Sequence, residues 1–368
     1  MVDENKKISE RTLLYDPLFE KKPDVEIRDD PSKGLLGKAK VKKVLFVVAL
    51  GTFIAISLFF SFYSVATDKY KFEENGGGYL FSSFRGGEND KVLSVGFVTG
   101  EDDSRDTAKP VNESREFAVC CNEYLEYIYI SKTVEKIDNT SFYYCTALKA
   151  IFVDPENPNY ASVDGVLYKK DNGVLTEIVL YPMQNGYYRS ALALGLTAPE
   201  READIEEYMS LAAKNEAEIA EEYKTTGIRY EIADTVTKIG TLCFSTCMEL
   251  EYIAIPDGVK EIETLAFLKC EALKTIYLPD GLEKIGSDAF SSCKSVKYIF
   301  IPASVTEIGH HAFNNCTSVS CVYTSHKDGS GFEAGDGWLP EKRKVFMVDV
   351  DVLYGQVRDD TLQDKEGE

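Results

Sequence analysis

Histidine is nearly missing from this chain, at three residues in 368 (His310, His311 and His326), and tryptophan occurs once. There is no His-x-x-x-His, no paired Cys-x-x-Cys and no glycine-rich loop ending in Lys-Ser or Lys-Thr. The usual signatures of zinc catalysis, of a histidine-activated nucleophile and of a phosphate cradle are therefore absent. Positive charge is also in deficit. Against 61 Asp and Glu stand 41 Lys and Arg, a formal charge of −20. Phosphate backbones and anionic lipid surfaces are held by Lys and Arg, so neither nucleic acid nor an anionic membrane surface suits the body of the chain as a ligand. The expectation is a binding protein, not an enzyme, with no cofactor and no metal.

What the sequence does have is a period. Cys247, Cys270, Cys293 and Cys316 fall 23 residues apart, and three other residue types keep the same step. The columns are Val236, Val259, Leu282, Val305; Ile239, Ile262, Ile285, Ile308; Phe244, Phe267, Phe290, Phe313; and Leu250, Leu273, Val296, Val319. An earlier copy runs through Val134, Ile137, Phe142, Cys145, Leu148 and Ile151. A worn one precedes it at Val111, Ser114, Val119, Asn122, Leu125 and Ile128. Terminal repeats depart from consensus because one side faces solvent, so residues 111–128 are expected to lie close to the amino-terminal cap.

Within one unit, Leu250, Ile253 and Ile255 alternate as in a short strand, and Pro256-Asp257-Gly258 makes a turn. Val259 and Ile262 return inward, and 265–270 form a compact bend. One unit cannot enclose its own apolar side; stacked units bury a shared column and pair their strands in parallel. Gly240, Gly286 and Gly309, with Glu263 in the same place, follow the inward isoleucine, where a tight change of direction favours a residue without a side chain. His310 and His311 stand where other units have Ser287-Asp288 or Thr264-Leu265, and are expected to be exposed.

The units 255–270, 278–293 and 301–316 follow I-P-x-x-V-x-x-I-G-x-x-A-F-x-x-C-x-x-L. This resembles the BspA-like leucine-rich repeats of microbial cell-surface proteins. The resemblance covers roughly residues 111–323 and implies a leucine-rich-repeat solenoid (α/β, one parallel strand per 23-residue repeat) used for adhesion or recognition at a surface. Residues 157–182 resemble the β-hairpin that such proteins carry between repeats. The stretch at 183–227 departs from the family as an insertion. In it Gly186 to Leu196 suggest a short helix. From Pro199 to Tyr223 the stripe Ile205, Met209, Ala212, Ile219, Tyr223 recurs at near-helical spacing, with acids near the start, and should lie against the solenoid. It either covers an interruption between repeats or forms an acidic, partner-binding flap.

Val44 to Ala66 holds no charged residue over 23 positions, and at 1.5 Å per residue such a helix spans roughly 35 Å, enough to cross a bilayer core. Lys33, Lys38, Lys40, Lys42 and Lys43 crowd one flank, and the other begins Asp68, Lys69, Lys71, Glu73, Glu74. The positive-inside bias then places residues 1–43 in the cytosol and the repeats outside: a single-pass, type II protein of the cell membrane. Ser64-Val65-Ala66 leaves a cleaved signal peptide as the alternative. The division expected is a disordered cytosolic tail at 1–43, a transmembrane helix at 44–66 and a juxtamembrane linker at 67–92. An ectodomain follows at 93–325, then a carboxy-terminal cap and tail at 326–368.

The cysteine column points inward behind phenylalanine, where a free thiol packs as a small apolar residue; bridging between neighbouring rungs is the alternative. Cys120, Cys121 and Cys321 lie off the column and are the reactive candidates. If 253 and 255 point inward, 252 and 254 point outward, and the equivalent positions carry Tyr127, Tyr129, Phe152, Tyr252, Tyr277, Tyr298, Phe300 and Tyr323. These eight rings are the candidate partner-binding residues. They either stack along the sheet or supply contact area for a protein or a surface polymer. The rival function is structural, with the solenoid associating with itself or with the cell wall.

Overall fold

The computed structural model describes residues 27–28, 70–75, 78–98, 109–324, 332–339 and 344–347. The period becomes two stacks of parallel strands. In the first, Val92–Val95, Tyr127–Ile130 and Ala150–Val153 pair in parallel, then Arg229–Glu231 with Tyr252–Ala254, then Tyr298–Ile301, Cys321–Thr324 and Lys344–Met347. Partners such as Tyr127 and Ala150, or Tyr298 and Cys321, are one repeat apart in sequence. The second stack is built from the two-residue strands Lys238–Ile239, Glu261–Ile262, Lys284–Ile285, Glu307–Ile308 and Glu333–Ala334, again in parallel.

Between the stacks lies the column that the period predicts. Phe244, Phe267, Phe290 and Phe313 are fully buried, and their rings stack at 4.9, 4.9 and 5.2 Å with interplanar angles of 5°, 3° and 2°. Beside them Cys145, Cys270, Cys293 and Cys316 each aim Sγ at a carbonyl of the preceding coil (Val119, Phe244, Phe267 and Phe290) at 3.0 to 3.2 Å. All nine cysteines are free. The column thiol therefore fills space and satisfies a buried carbonyl, and burial pushes Cys247 and Cys293, with Cys243 beside the column, well above the usual thiol value.

The bends need a residue without a side chain, as expected, while the left-handed positions lie elsewhere. Positive φ is held by Leu242, Thr246, Leu265, Lys269, Asp288, Ser292, His311 and Asn315, two per coil, while Gly240, Gly286 and Gly309 are not left-handed. Those last two glycines serve close approach: a Cβ at Gly286 would meet the Thr264 nitrogen at 2.4 Å, and one at Gly309 the Ser287 nitrogen at 2.3 Å.

Residues 157–182 hold three antiparallel strands, Tyr160–Val163, Val166–Asp171 and Val174–Leu180. Asp164-Gly165 and Asn172-Gly173 turn between them with φ of 50°, 74°, 50° and 81°, the left-handed pair of a tight hairpin. The last strand joins the second stack through Glu177 to Lys238 and Ile178 to Ile239. Alternation puts Val166, Tyr168 and Ile178 into the carboxy-terminal core, while Leu167, Val179 and Leu180 enter the amino-terminal core. The hairpin is thus a plug shared by two cores. Tyr181, just beyond it, stacks on Phe244 at 5.1 Å and its N–H donates to the Cys243 carbonyl, so it stands where the spine lacks a phenylalanine.

The expected linker at 67–92 is part of the body over its described residues. Tyr70–Glu74 and Tyr79–Phe84 form a hairpin, the latter runs parallel to Lys109–Ser114, and Phe81 and Phe84 are buried. These strands cap the stack directly ahead of 111–128, where the amino-terminal cap is expected; they are hidden in the sequence because their apolar positions do not keep the 23-residue step. Asn122, in the cysteine's place, accepts from the Tyr124 and Leu125 N–H groups at 2.9 and 2.8 Å and closes its bend. The segment 44–66 lies outside the described residues, as do His326 and most of 1–43; among the described residues no helix is long and apolar enough to cross a membrane. Ile27–Arg28 pairs antiparallel with Val345 and Phe346.

Candidate partner-binding face

The insertion decides what remains of the strand face. It contains helix α1 (Asn185–Ala193), a 3-10 turn (Glu202–Asp204), α2 (Ile205–Lys214), α3 (Glu216–Glu222) and a π turn (Tyr223–Gly227). Gly195, at φ 89°, stops the chain after α1, and the stretch read as one helix breaks at Asn215. Of the expected stripe, Ile205, Ala212 and Ile219 are buried and Met209 packs beside them; Tyr188, Ala191 and Tyr208 complete the contact. That contact falls on the aromatic columns themselves.

Tyr127, Tyr129 and Phe152 are consequently 1%, 8% and 5% exposed. Tyr127 meets Tyr208 edge to face at 5.9 Å, and Phe152 meets Tyr188 in the same way at 5.6 Å. Expected to point into solvent, these three form a core between sheet and helices instead, and burial pushes the Tyr129 hydroxyl up to about 12. The signal was available: the same insertion carries an apolar stripe that needed an apolar floor.

The edge of this covered half is pinned by charge. Glu126 takes Lys91 at 2.7 Å and Lys149 at 2.6 Å, and the Lys149 ammonium lies 4.6 Å from the Tyr187 ring centre. Burial alone raises the Glu126 carboxyl, but the two lysines outweigh it and hold the group below its usual value. Ser94 donates to Glu202 at 2.6 Å and ties the 3-10 turn to the outermost strand.

The other five candidates lie beyond the insertion. Phe300 and Tyr323 stack at 5.2 Å and are each 5% exposed, with Tyr277, Tyr298 and Cys321 packed around them. Tyr252, Tyr277 and Tyr298 are half-buried. Tyr252 lies between two cations, Arg229 at 4.5 Å and Lys274 at 5.3 Å from its ring centre, and Lys274 also pairs with Glu251. Three rings thus keep accessible surface, and none of the eight stands alone.

What this face offers is apolar area, π-faces and fixed charge. Among the described residues no three His, Cys, Asp or Glu side chains come together as a metal site. His310 and His311 are exposed, and His310 Nδ1 accepts from the Asp336 N–H at 2.9 Å.

Residues 108–163 and 223–328 match the profile of the BspA type leucine rich repeat region, in six copies. The gap between the two blocks is the hairpin's inner strands plus the insertion. No curated protein matches the chain. Solved structures resemble it at low identity. A leucine-rich repeat protein from Eubacterium ventriosum is 20% identical with TM-score 0.43, over 62% of this chain and 52% of that one, so the alignment spans about half of that protein's length. The pneumococcal vaccine antigen PcpA is 16% identical with TM-score 0.42, over 74% and 84%. A leucine rich cell surface protein from Faecalibacterium prausnitzii is 17% identical with TM-score 0.31, over 72% and 96%. With its period, parallel stacks and phenylalanine spine in place, the repeat region of this chain is a BspA-type leucine-rich repeat region, in two blocks divided by a hairpin plug and a helical insertion.

Proposed function

We propose that this chain is a cell-surface recognition protein that binds another protein or a surface polymer, without catalysis, on the strand face between Arg229 and Tyr298. The observation that carries the reading is the half-buried trio Tyr252, Tyr277 and Tyr298 on a rigid parallel stack, with Arg229 and Lys274 beside the first ring. Such rings supply contact area at little entropic cost, and a flanking cation adds direction. Tyr127, Tyr129 and Phe152 leave the binding set while the insertion is seated. Proximity labelling outside intact cells supplies the partner. The triple variant Tyr252→Ser, Tyr277→Ser, Tyr298→Ser should then lose at least tenfold in affinity with its melting curve nearly unchanged. Undiminished binding by that variant sinks the proposal, and a full chain that sediments as an oligomer with no partner added supports the structural rival.

Anchoring rests on the uncharged run 44–66 and its lysine-rich flank. The pairing of Ile27–Arg28 with Val345 and Phe346 favours a second topology, in which the tail and the repeats share one side. Protease added to intact cells separates the two: an anchored type II chain loses the repeats and keeps an epitope placed at residues 1–10, whereas the shared-side chain loses both.

A further inference from the structure

One coil differs from all others at its bend. The positions after the buried Val119 are Cys120 and Cys121, where the equivalent pairs are Tyr143-Tyr144, Ser245-Thr246, Leu268-Lys269, Ser291-Ser292 and Asn314-Asn315. Cys121 is exposed, Cys120 is half-buried, and both are free. The backbone fixes the pair: the Cys120 N–H donates to the Phe117 carbonyl at 3.3 Å and the Cys121 N–H to the Tyr143 carbonyl at 2.9 Å. Cys121 is held left-handed at φ 59°, and so are its two bulky neighbours Phe117 and Tyr144, at 55° and 58°. Those two aromatics are each 41% exposed, and Tyr143, its ring 6.4 Å from Phe117 and 5.9 Å from Tyr144, joins them in an apolar wall beside the thiols. The left-handed backbone is the one every coil uses at this bend; what sets this bend apart is the pair of accessible thiols beside two accessible rings.

We propose that Cys121, with Cys120 next to it, is a thiol–disulfide exchange site that takes the disulfide of a peptide or protein partner. Cys121 is the nucleophile, because it is exposed and because a hydrogen bond from the Cys120 thiol lowers it to about 7 from the usual 9.0, while Cys120 is raised. A thiolate whose pKa lies near ambient pH combines population with nucleophilicity. Its sulfur attacks one sulfur of the partner's S–S bond. That bond breaks, a Cys121–S–S–R bond forms, and the departing R′S⁻ takes a proton from water. A second attack by Cys120 would release RS⁻ and close a Cys120–Cys121 bridge. Adjacent Cα atoms are about 3.8 Å apart, shorter than the roughly 4.4 to 6.8 Å that disulfides favour. The closed bridge is strained, so the mixed disulfide accumulates and the partner stays covalently attached. The aromatic wall selects peptide over small aliphatic disulfides. No other bend offers this: among the other cysteines six are buried, and Cys321, half-buried, has no neighbouring thiol.

The test uses the full chain with oxidised glutathione and, separately, insulin as disulfide donors, with adducts located by peptide mass spectrometry. One adduct is expected, on Cys121, with a rate that rises to half its maximum near pH 7. Cys120→Ala, which removes the donor, should move that half-maximum up toward the usual thiol value and slow the reaction at pH 7, with a nearly unchanged melting curve. Insulin should react at least tenfold faster than glutathione, and Phe117→Ser with Tyr144→Ser should remove that preference. Adducts on Cys321 but not on Cys121, an identical pH profile in Cys120→Ala, or a product two hydrogens lighter with no adduct would each overturn the proposal. Reaction with glutathione alone would overturn the choice of a peptide partner.

Discussion

Tyr181 is the side chain on which the coupling of the two cores depends, and Tyr181→Ala tests it. The ring is 3% exposed, lies 4.8 Å from Tyr230 and 5.1 Å from Phe244, and continues the phenylalanine spine toward the amino-terminal block. Truncating a buried aromatic to alanine costs about 3–5 kcal/mol, cavity included, and the two ring pairs account for roughly 1–3 kcal/mol of that. In a stack of repeats the interface between neighbours transmits cooperativity, so weakening one interface should let the blocks unfold separately. The single tryptophan, Trp338, is buried in the carboxy-terminal core and reports on that block alone, whereas circular dichroism reports on both. Urea unfolding of the wild type should give coincident curves by the two probes. In Tyr181→Ala they should separate, with total stability lower by about 3–5 kcal/mol. Tyr181→Phe is the control: it keeps both ring contacts and loses only a hydroxyl 3.5 Å from Arg189 Nη2, which still bonds the Thr226, Gly227 and Arg229 carbonyls. Its cost should stay below about 1 kcal/mol. Coincident transitions in Tyr181→Ala, shifted by less than the phenylalanine control, would refute the view that this ring joins the blocks.

Phe267→Ala removes two stacked neighbours and Phe313→Ala only one in the spine, so chemical denaturation should find the former costlier by about 0.5–1.5 kcal/mol. Tyr208 is 2% exposed and its hydroxyl has no hydrogen-bond partner among the described residues; Tyr208→Phe should therefore raise the melting temperature, by the equivalent of about 1 kcal/mol. Burial raises the Glu263 carboxyl, but hydrogen bonds from Lys238 and Thr241 and the Lys238 charge outweigh it and hold it below the usual 4.5. A carboxyl depressed in the folded state stabilises above its unfolded pKa, and this is lost as pH falls below 4.5 through the folded value. Glu263→Gln should flatten the stability profile in that acid window by less than about 1 kcal/mol, since the pair is partly solvated, as melting curves from pH 3 to 7 would register.

How much was legible in the sequence follows from what a period can encode. Phe244, Phe267, Phe290 and Phe313 were placed correctly because a fixed step forces equivalent residues into equivalent environments, and the inward thiols followed from the same step. The strands ahead of 111–128 escaped because Phe81, Phe84 and Leu93 are buried without keeping the 23-residue interval. The need for a residue without a side chain at Gly286 and Gly309 was legible, but sequence cannot distinguish a positive φ from a close backbone approach, and here the approach of the preceding coil decides it. For the binding face the period was misleading in one half. Tyr127, Tyr129 and Phe152 occupy the same outward columns as Tyr252, Tyr277 and Tyr298, so an argument from repeats treats them alike. What separates them is a non-repeating element, the helices over 185–222.

That element also explains how an acidic insertion coexists with an apolar sheet. Its carboxylates need water and its stripe needs cover; laying Ile205, Tyr208, Ala212 and Ile219 on Tyr127 and Phe152 meets both demands at once. The same rings that could present a docking surface are used as a floor, and stacking and recognition cease to be alternatives: the aromatic columns are cohesive where covered and accessible where not. The plug and the insertion then act on different properties. The hairpin, whose buried residues enter both cores, keeps the two blocks in one register, while the helices set where along that register the face begins, near Arg229. Docking at Tyr252 is thereby referred to a rigid frame that extends on both sides of it, and a partner's affinity should respond to Tyr181 through the frame even though that ring never reaches the surface.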